Sequence, residues 1–173
     1  MITMARIDSA QAHQVITLAG IDPGLVHTGG VVTQISVSTK VFVSSPKLFD
    51  ACAVNQIKLF IEQYGPEATF IEGYRPRSNL GPDRNMQTNV TMLHNNIPSR
   101  VLDNMDSKNV VTNDLMKLLK LYNFSTRSHH QDLRSAARIM LFGAIKDPHY
   151  NEVLANMMVE ELTNPGSWNI VTY

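Results

Sequence analysis

The sequence predicts an α/β fold, a mixed five-stranded sheet with helices on both faces. Three observations carry that expectation. Short β-branched and apolar runs of strand length recur between Val15 and Val111, stripes of helical period alternate with them, and Gly, Pro and Asn punctuate the joins. The chain of 173 residues, 43% hydrophobic and 17% charged, is expected to form one domain over residues 1–173. A domain of that length can bury a substantial core.

Each element has its own signal. HQVITLAGID is a short β-branched strand ending at Asp22. GGVVTQISVSTKVFVSS reads as two strands joined by a tight turn near Ser38, Thr39 and Lys40. From Pro46 to Tyr64, Leu48, Phe49, Ile57, Phe60 and Ile61 suit an amphipathic helix, stopped by Gly65-Pro66. ATFIEG is then a buried strand ending at Glu72, and the prolines and glycine of YRPRSNLGPD make a loop. A helix follows from about Asn85, with Met86, Val90, Leu93 and Ile97 in one stripe and Pro98 ending it. KNVVTND offers the fifth strand, followed by a helix over Leu115–Leu121. A long helix runs from near His129 to Ile145. Asp147-Pro148 starts another, with Asp as the N-cap and Pro in the first turn, and it ends before Asn164-Pro165-Gly166.

Composition narrows the function classes. No apolar run is long enough to span a bilayer, and MITMARIDSAQAHQ lacks the apolar core of a signal peptide, so no membrane partner is expected. Cys52 is the only cysteine, which excludes a disulfide framework and fits a reducing, cytoplasmic setting. Net charge is zero, yet Arg75, Arg77, Arg84, Arg100, Lys108, Lys117, Lys120, Arg127, Arg134 and Arg138 all fall between residues 73 and 138. Only five acids share that span: Asp83, Asp103, Asp106, Asp114 and Asp132. A basic middle suits a polyanion, although charge alone fits an ordinary solvated surface equally well.

Two carboxylates call for a specific use. Asp22 and Glu72 each end an apolar strand, and if those strands are neighbours both side chains reach the sheet edge where α/β sites form. Like charges held together must either share a proton or bind a cation. His129 and Asp132, three apart at the start of a helix, face one way and supply a third carboxylate. Taken singly, His129 or Asp132 could equally cap its helix, and Asp22-Pro23-Gly24 could be a plain turn. Together they form an oxygen-rich set with one imidazole, which suits Mg²⁺ or Mn²⁺ rather than structural zinc. Gly24 and Gly29-Gly30 leave room for the backbone to run close to such a site.

GIDPG ending a first strand, FIEG ending a fourth and HHQDLRSAA opening a late helix resemble the RuvC family of Holliday junction resolvases, in the ribonuclease H-like superfamily. The resemblance covers residues 15 to 146 in order and spacing, and the short form is similar to phage and viral members. It implies a ribonuclease H-like fold and an Mg²⁺- or Mn²⁺-dependent endodeoxyribonuclease with two ions per active site, cutting branched DNA, chiefly four-way junctions. It also implies four metal-binding, catalytic side chains: Asp22, Glu72, His129 and Asp132. Many members have Asp where this chain has His129. A neutral His129 would ligate an ion or orient the attacking water.

On this resemblance Tyr74, Arg75, Arg77 and Arg84, leaving Glu72, would follow the DNA, with Tyr74 stacking on a base or packing. Lys117, Lys120 and Arg127 would continue the path. Arg134 and Arg138, four apart, hold phosphate or pair with surface acids. Symmetric cutting implies a homodimer, with the Met86–Ile97 stripe either its seam or part of the core. The setting would be bacterial or infected-host cytoplasm. Two other readings remain: a nuclease acting on RNA–DNA hybrids or flaps, and a branched-DNA-binding module without catalysis.

Overall fold

The computed structural model describes residues 14–51, 53–76, 83–124 and 130–173. Strands β1 (Val15–Asp22), β2 (His27–Ser36) and β3 (Val41–Asp50) form an antiparallel meander, followed by α1 (Val54–Tyr64) and β4 (Ala68–Glu72). Then come α2 (Arg84–Asn96), β5 (Arg100–Leu102), α3 (Ser107–Val110), α4 (Asn113–Leu118), α5 (His130–Lys146), α6 (Asn151–Thr163) and β6 (Asn169–Thr172). One six-stranded sheet runs in the order β5-β4-β1-β2-β3-β6. β4 lies parallel to β1 and β5, and β6 lies parallel to β3.

The central strand β1 is buried on both sides, and its period of two sorts its side chains between two cores. Ile16 and Leu18 join the larger core with Phe70, Ala136, Met140 and Leu154, on the face covered by α5 and α6. Ala19 and Ile21 join the opposite core with Ile57, Phe60 and Leu93 of α1 and α2. Helices therefore cover both faces, as expected. The parity also decides where Asp22 and Glu72 point. Asp22 follows Leu18 and Gly20, and Glu72 follows Ala68 and Phe70, so both carboxylates belong to the α5 face.

Helix α5 lies unusually close to that face because glycines admit it. A Cβ on Gly20 would stand 2.1 Å from the carbonyl oxygen of Ala136, and one on Gly29 would stand 2.4 Å from that of Asp132. No side chain fits at either position. Gly29 is the register partner of Asp22, so the approach brings the first turn of α5 beside the end of β1.

Four expectations need correction. β3 continues through Pro46 to Asp50, where a helix start was expected. β6 covers only Val41–Ser44, so β3 is an open edge beyond that point and tolerates a proline without an N–H donor. KNVVTND forms no strand: Ser107–Val110 is a helical turn, stabilised as the Ser107 hydroxyl donates to the Asn104 carbonyl. The edge strand is instead Arg100–Leu102, only three residues long and mostly exposed, which gives it no apolar signal. A sixth strand, β6, anchors the C-terminal segment through buried Ile170 and Trp168. Asp147 does not cap α6. It accepts from the His149 N–H and pairs with Arg100, while α6 begins at Asn151. The Met86–Ile97 stripe resolves as core, since Val90, Leu93 and Ile97 are buried in this chain's own interior and not available as a dimer seam.

Candidate active site

Parallel pairing of β1 and β4 sets Ile21 beside Ile71, and the next residues, Asp22 and Glu72, emerge together at the carboxyl ends of adjacent strands. They line a cleft of about 400 Å³ with Pro23, Tyr74, Arg75, Met86 and Asn104. Burial, then the charge of Glu72 and hydrogen bonding to its side chain, then the charge of Asp132, hold Asp22 well above the ordinary aspartate range. Asp132, in the first turn of α5, thus belongs to the same electrostatic cluster. The Asn104 side-chain amide donates to Glu72 Oε1, fixing its orientation from the loop after β5.

The sequence-predicted set divides accordingly. Asp22 and Glu72 share the cleft and the charge of Asp132 reaches Asp22, while His129 lies outside the described residues. Among the described residues, no three His, Cys, Asp or Glu side chains converge closely enough to enclose a metal ion. The donor chemistry nevertheless fits a divalent cation. A buried carboxyl whose ionisation is opposed by a neighbouring carboxylate, with a third acid within electrostatic reach, is a site that positive charge relieves.

The expected DNA-contacting residues are spread more widely. Tyr74 is partly buried against the second core while also lining the cleft, and its Oη accepts the Asp83 N–H at 2.9 Å. Arg75 lines the cleft but pairs with Asp103 at 3.2 Å and donates to Met105 Sδ. Arg84 is exposed at the start of α2. Lys117 pairs with Asp114 at 3.6 Å and lies 5.3 Å from the centroid of the Tyr122 ring. Lys120 is exposed, and its positive φ of 55° is matched among described non-glycine residues only by that of Lys40, 52°. Arg77 and Arg127 lie outside the described residues. Arg134 and Arg138 take backbone and amide partners instead of surface acids: Arg134 Nε donates to the Tyr122 carbonyl, and Arg138 donates to the Val111 carbonyl and Asn113 Oδ1.

Sequence reasoning missed Asn104. Nothing in LDNMDS marks it, and only the pairing of β5 beside β4 brings it to Glu72.

Comparison with solved structures decides the architecture. The RuvC of Thermus thermophilus bound to a Holliday junction substrate superposes with a TM-score of 0.51 at 14% identity, covering 74% of this chain and 91% of that one. A second Thermus thermophilus RuvC structure gives 0.51 at 17% identity, over 74% and 92%. The fold is ribonuclease H-like. The yeast mitochondrial Holliday junction resolvase is more distant, at 0.48 and 13% identity, over 70% of this chain and 75% of its own. No protein-family model and no curated protein matches the sequence. In the ribonuclease H-like frame, Asp22 occupies the end of the central strand and Asp132 the helix crossing it.

Proposed function

We propose that the protein is a metal-dependent, structure-selective endonuclease that hydrolyses phosphodiesters in branched DNA, chiefly at four-way junctions. One observation carries the reading: Asp22 and Glu72 emerge side by side at the carboxyl ends of the paired central strands, with Asp132 in electrostatic reach, on a ribonuclease H-like sheet. Asp22, Glu72 and Asp132, with His129, would hold Mg²⁺ or Mn²⁺, two ions in all, which supply an activated water and charge neutralisation at the leaving oxygen.

The chain's own residues do the rest. Asp22, at the point where β1 and β4 meet, would hold a cation with its carboxylate, and that positive charge would favour its ionised form. Glu72 is held in one orientation by the amide of Asn104, which leaves its second oxygen for the cleft's cation. Gly29 lets Asp132 approach without a side chain between helix and strand. The exposed Arg84 and Lys120 supply backbone contacts that position the DNA without reading its sequence.

Two symmetric cuts require two sites, so the reading includes a homodimer. It also includes a cytoplasmic setting. Among the described residues no helix is long and apolar enough to cross a membrane.

The test is a substrate panel. With Mg²⁺, a labelled four-way junction should yield paired, symmetric nicks and linear duplex products, while plain duplex stays whole. Degradation of the RNA strand of a linear hybrid, with the junction untouched, would overturn the reading.

A further inference from the structure

A second pocket, of about 360 Å³, opens on the α5 face and is lined by Lys108, Asn113, Tyr122, Gln131, Arg134 and Arg138. It carries three cations and no acid. Among the described residues none of the three makes an ion pair with a carboxylate. Arg134 and Arg138 stand four apart on α5, a spacing at which like charges repel. Arg138 is also 8% exposed, so its charge is held in the interior against both burial and its neighbour.

Both guanidiniums are braced. Arg134 lies 3.8 Å from the centroid of the Tyr122 ring and donates through Nε to the Tyr122 carbonyl. Arg138 is fixed by the Val111 carbonyl and Asn113. Planar, braced guanidiniums that, among the described residues, keep further N–H groups beyond these contacts are suited to tetrahedral oxyanions. Gln131 and Lys108 add further donors at the rim.

The pocket adjoins the acidic cleft. A gap of about 30 Å³ between them is lined by Glu72 and Asn104 on one side and by Lys108, Ser135 and Arg138 on the other. The negative charge of Glu72 is felt at Arg138. An anion seated here is therefore a close neighbour of whatever lies over Asp22 and Glu72.

We propose that this pocket binds a backbone phosphate of the DNA strand whose scissile phosphate lies in the acidic cleft. The assignment rests on the DNA-cleaving reading and adds the place that sets the strand's register. Arg134 and Arg138 grip the phosphate, and Lys108 closes the side nearest Asn104.

The experiment neutralises the DNA rather than the protein. Single methylphosphonates are placed at each phosphate within three positions of the cut, and junction affinity is measured in metal-free buffer for wild type and for Arg134→Gln. At one position, substitution should weaken wild-type binding by about tenfold, the scale of a charge-assisted contact, yet change the variant less than about twofold. Equal losses in both proteins at every position would overturn the pocket while leaving the nuclease reading intact. A wild-type protein that neither binds nor cuts any DNA would overturn both. Thermal melting establishes that Arg134→Gln folds. Should it not, Lys108→Gln, exposed on α3, takes its place and must show the same loss of sensitivity.

Discussion

Asp22 and Glu72 stand side by side at the carboxyl ends of two adjacent parallel strands, where burial and then the charge of Glu72 oppose the ionisation of Asp22. This arrangement is costly without a cation. For Asp22 the folded-state pKa lies above the ordinary value of 3.8, so its ionisation opposes folding. Below that value the group is protonated in both states and the penalty is absent. The penalty grows as pH rises from there towards the raised folded value.

Asp22→Asn should therefore raise the melting temperature of the metal-free protein at neutral pH, and the gain should vanish near pH 3 to 4. The same variant, like Glu72→Gln, should lose junction cleavage by about 100-fold or more, since each deletes ligand charge without changing shape. Melting curves in EDTA and cleavage rates in Mg²⁺ test the two halves separately. Cleavage near the wild-type rate in either variant would remove the site assignment.

Gly20 and Gly29 offer a test of how closely α5 is seated. A Cβ at either collides with backbone oxygen, of Ala136 or Asp132, and backbone cannot swing aside as a side chain can. Gly20→Ala and Gly29→Ala should each cost roughly 1–3 kcal/mol by urea unfolding, because α5 must shift away from the sheet. Their activities should differ. Gly29→Ala displaces the turn that carries Asp132, so its cleavage rate should fall further than its stability predicts. Two variants as stable as wild type would show that α5 has room the structure does not display.

Much of this was legible in the chain. The β-branched runs ending at Asp22 and Glu72 placed both acids at strand ends, because burial on both faces leaves a continuous apolar run. The helix carrying Asp132 was marked by small residues at Ser135, Ala136 and Ala137, the last two fully buried against the sheet. Strand β5 and strand β6 were hidden because each is short and acquires its identity only by pairing with a distant neighbour. Asn104 was hidden for the same reason, since its role arises from juxtaposition across the sheet. Arg134 and Arg138 were marked by their spacing as phosphate-holding or acid-pairing, but the pocket they line with Lys108 and Tyr122 was not legible from it.

Asp147 gives a pH prediction of the opposite sign. It accepts the His149 N–H and the Arg100 guanidinium, and these partners hold its carboxyl below the ordinary 3.8. A depressed pKa means stability that is present above that value and lost as pH falls through the lower folded one. Asp147→Asn should thus lower stability at neutral pH and flatten the acid limb of the melting-temperature profile. Acid unfolding indistinguishable from wild type would show that the pair contributes nothing.

The last prediction concerns Arg75, which the sequence put on the DNA path and the structure ties to Asp103. Both partners are about half exposed, at 52% each, so the pair is weak and a phosphate can compete for the guanidinium. While Asp103 remains, however, the pair is locally neutral and attracts DNA little. Arg75→Gln should then change junction affinity only modestly. Asp103→Asn should tighten it by about two- to fivefold, the range of an exposed pair worth up to about 1 kcal/mol. Affinity measured across a salt series gives the decisive reading. Freeing one cation should steepen the slope of log affinity against log salt by about one, as one more phosphate contact releases its counterion. Arg84→Gln, which removes an exposed cation with no described acid partner, should make the slope shallower by the same amount. An Asp103→Asn variant with unchanged affinity and slope would mean that DNA never reaches the loop after β5, and that the strand leaves the cleft on its other side.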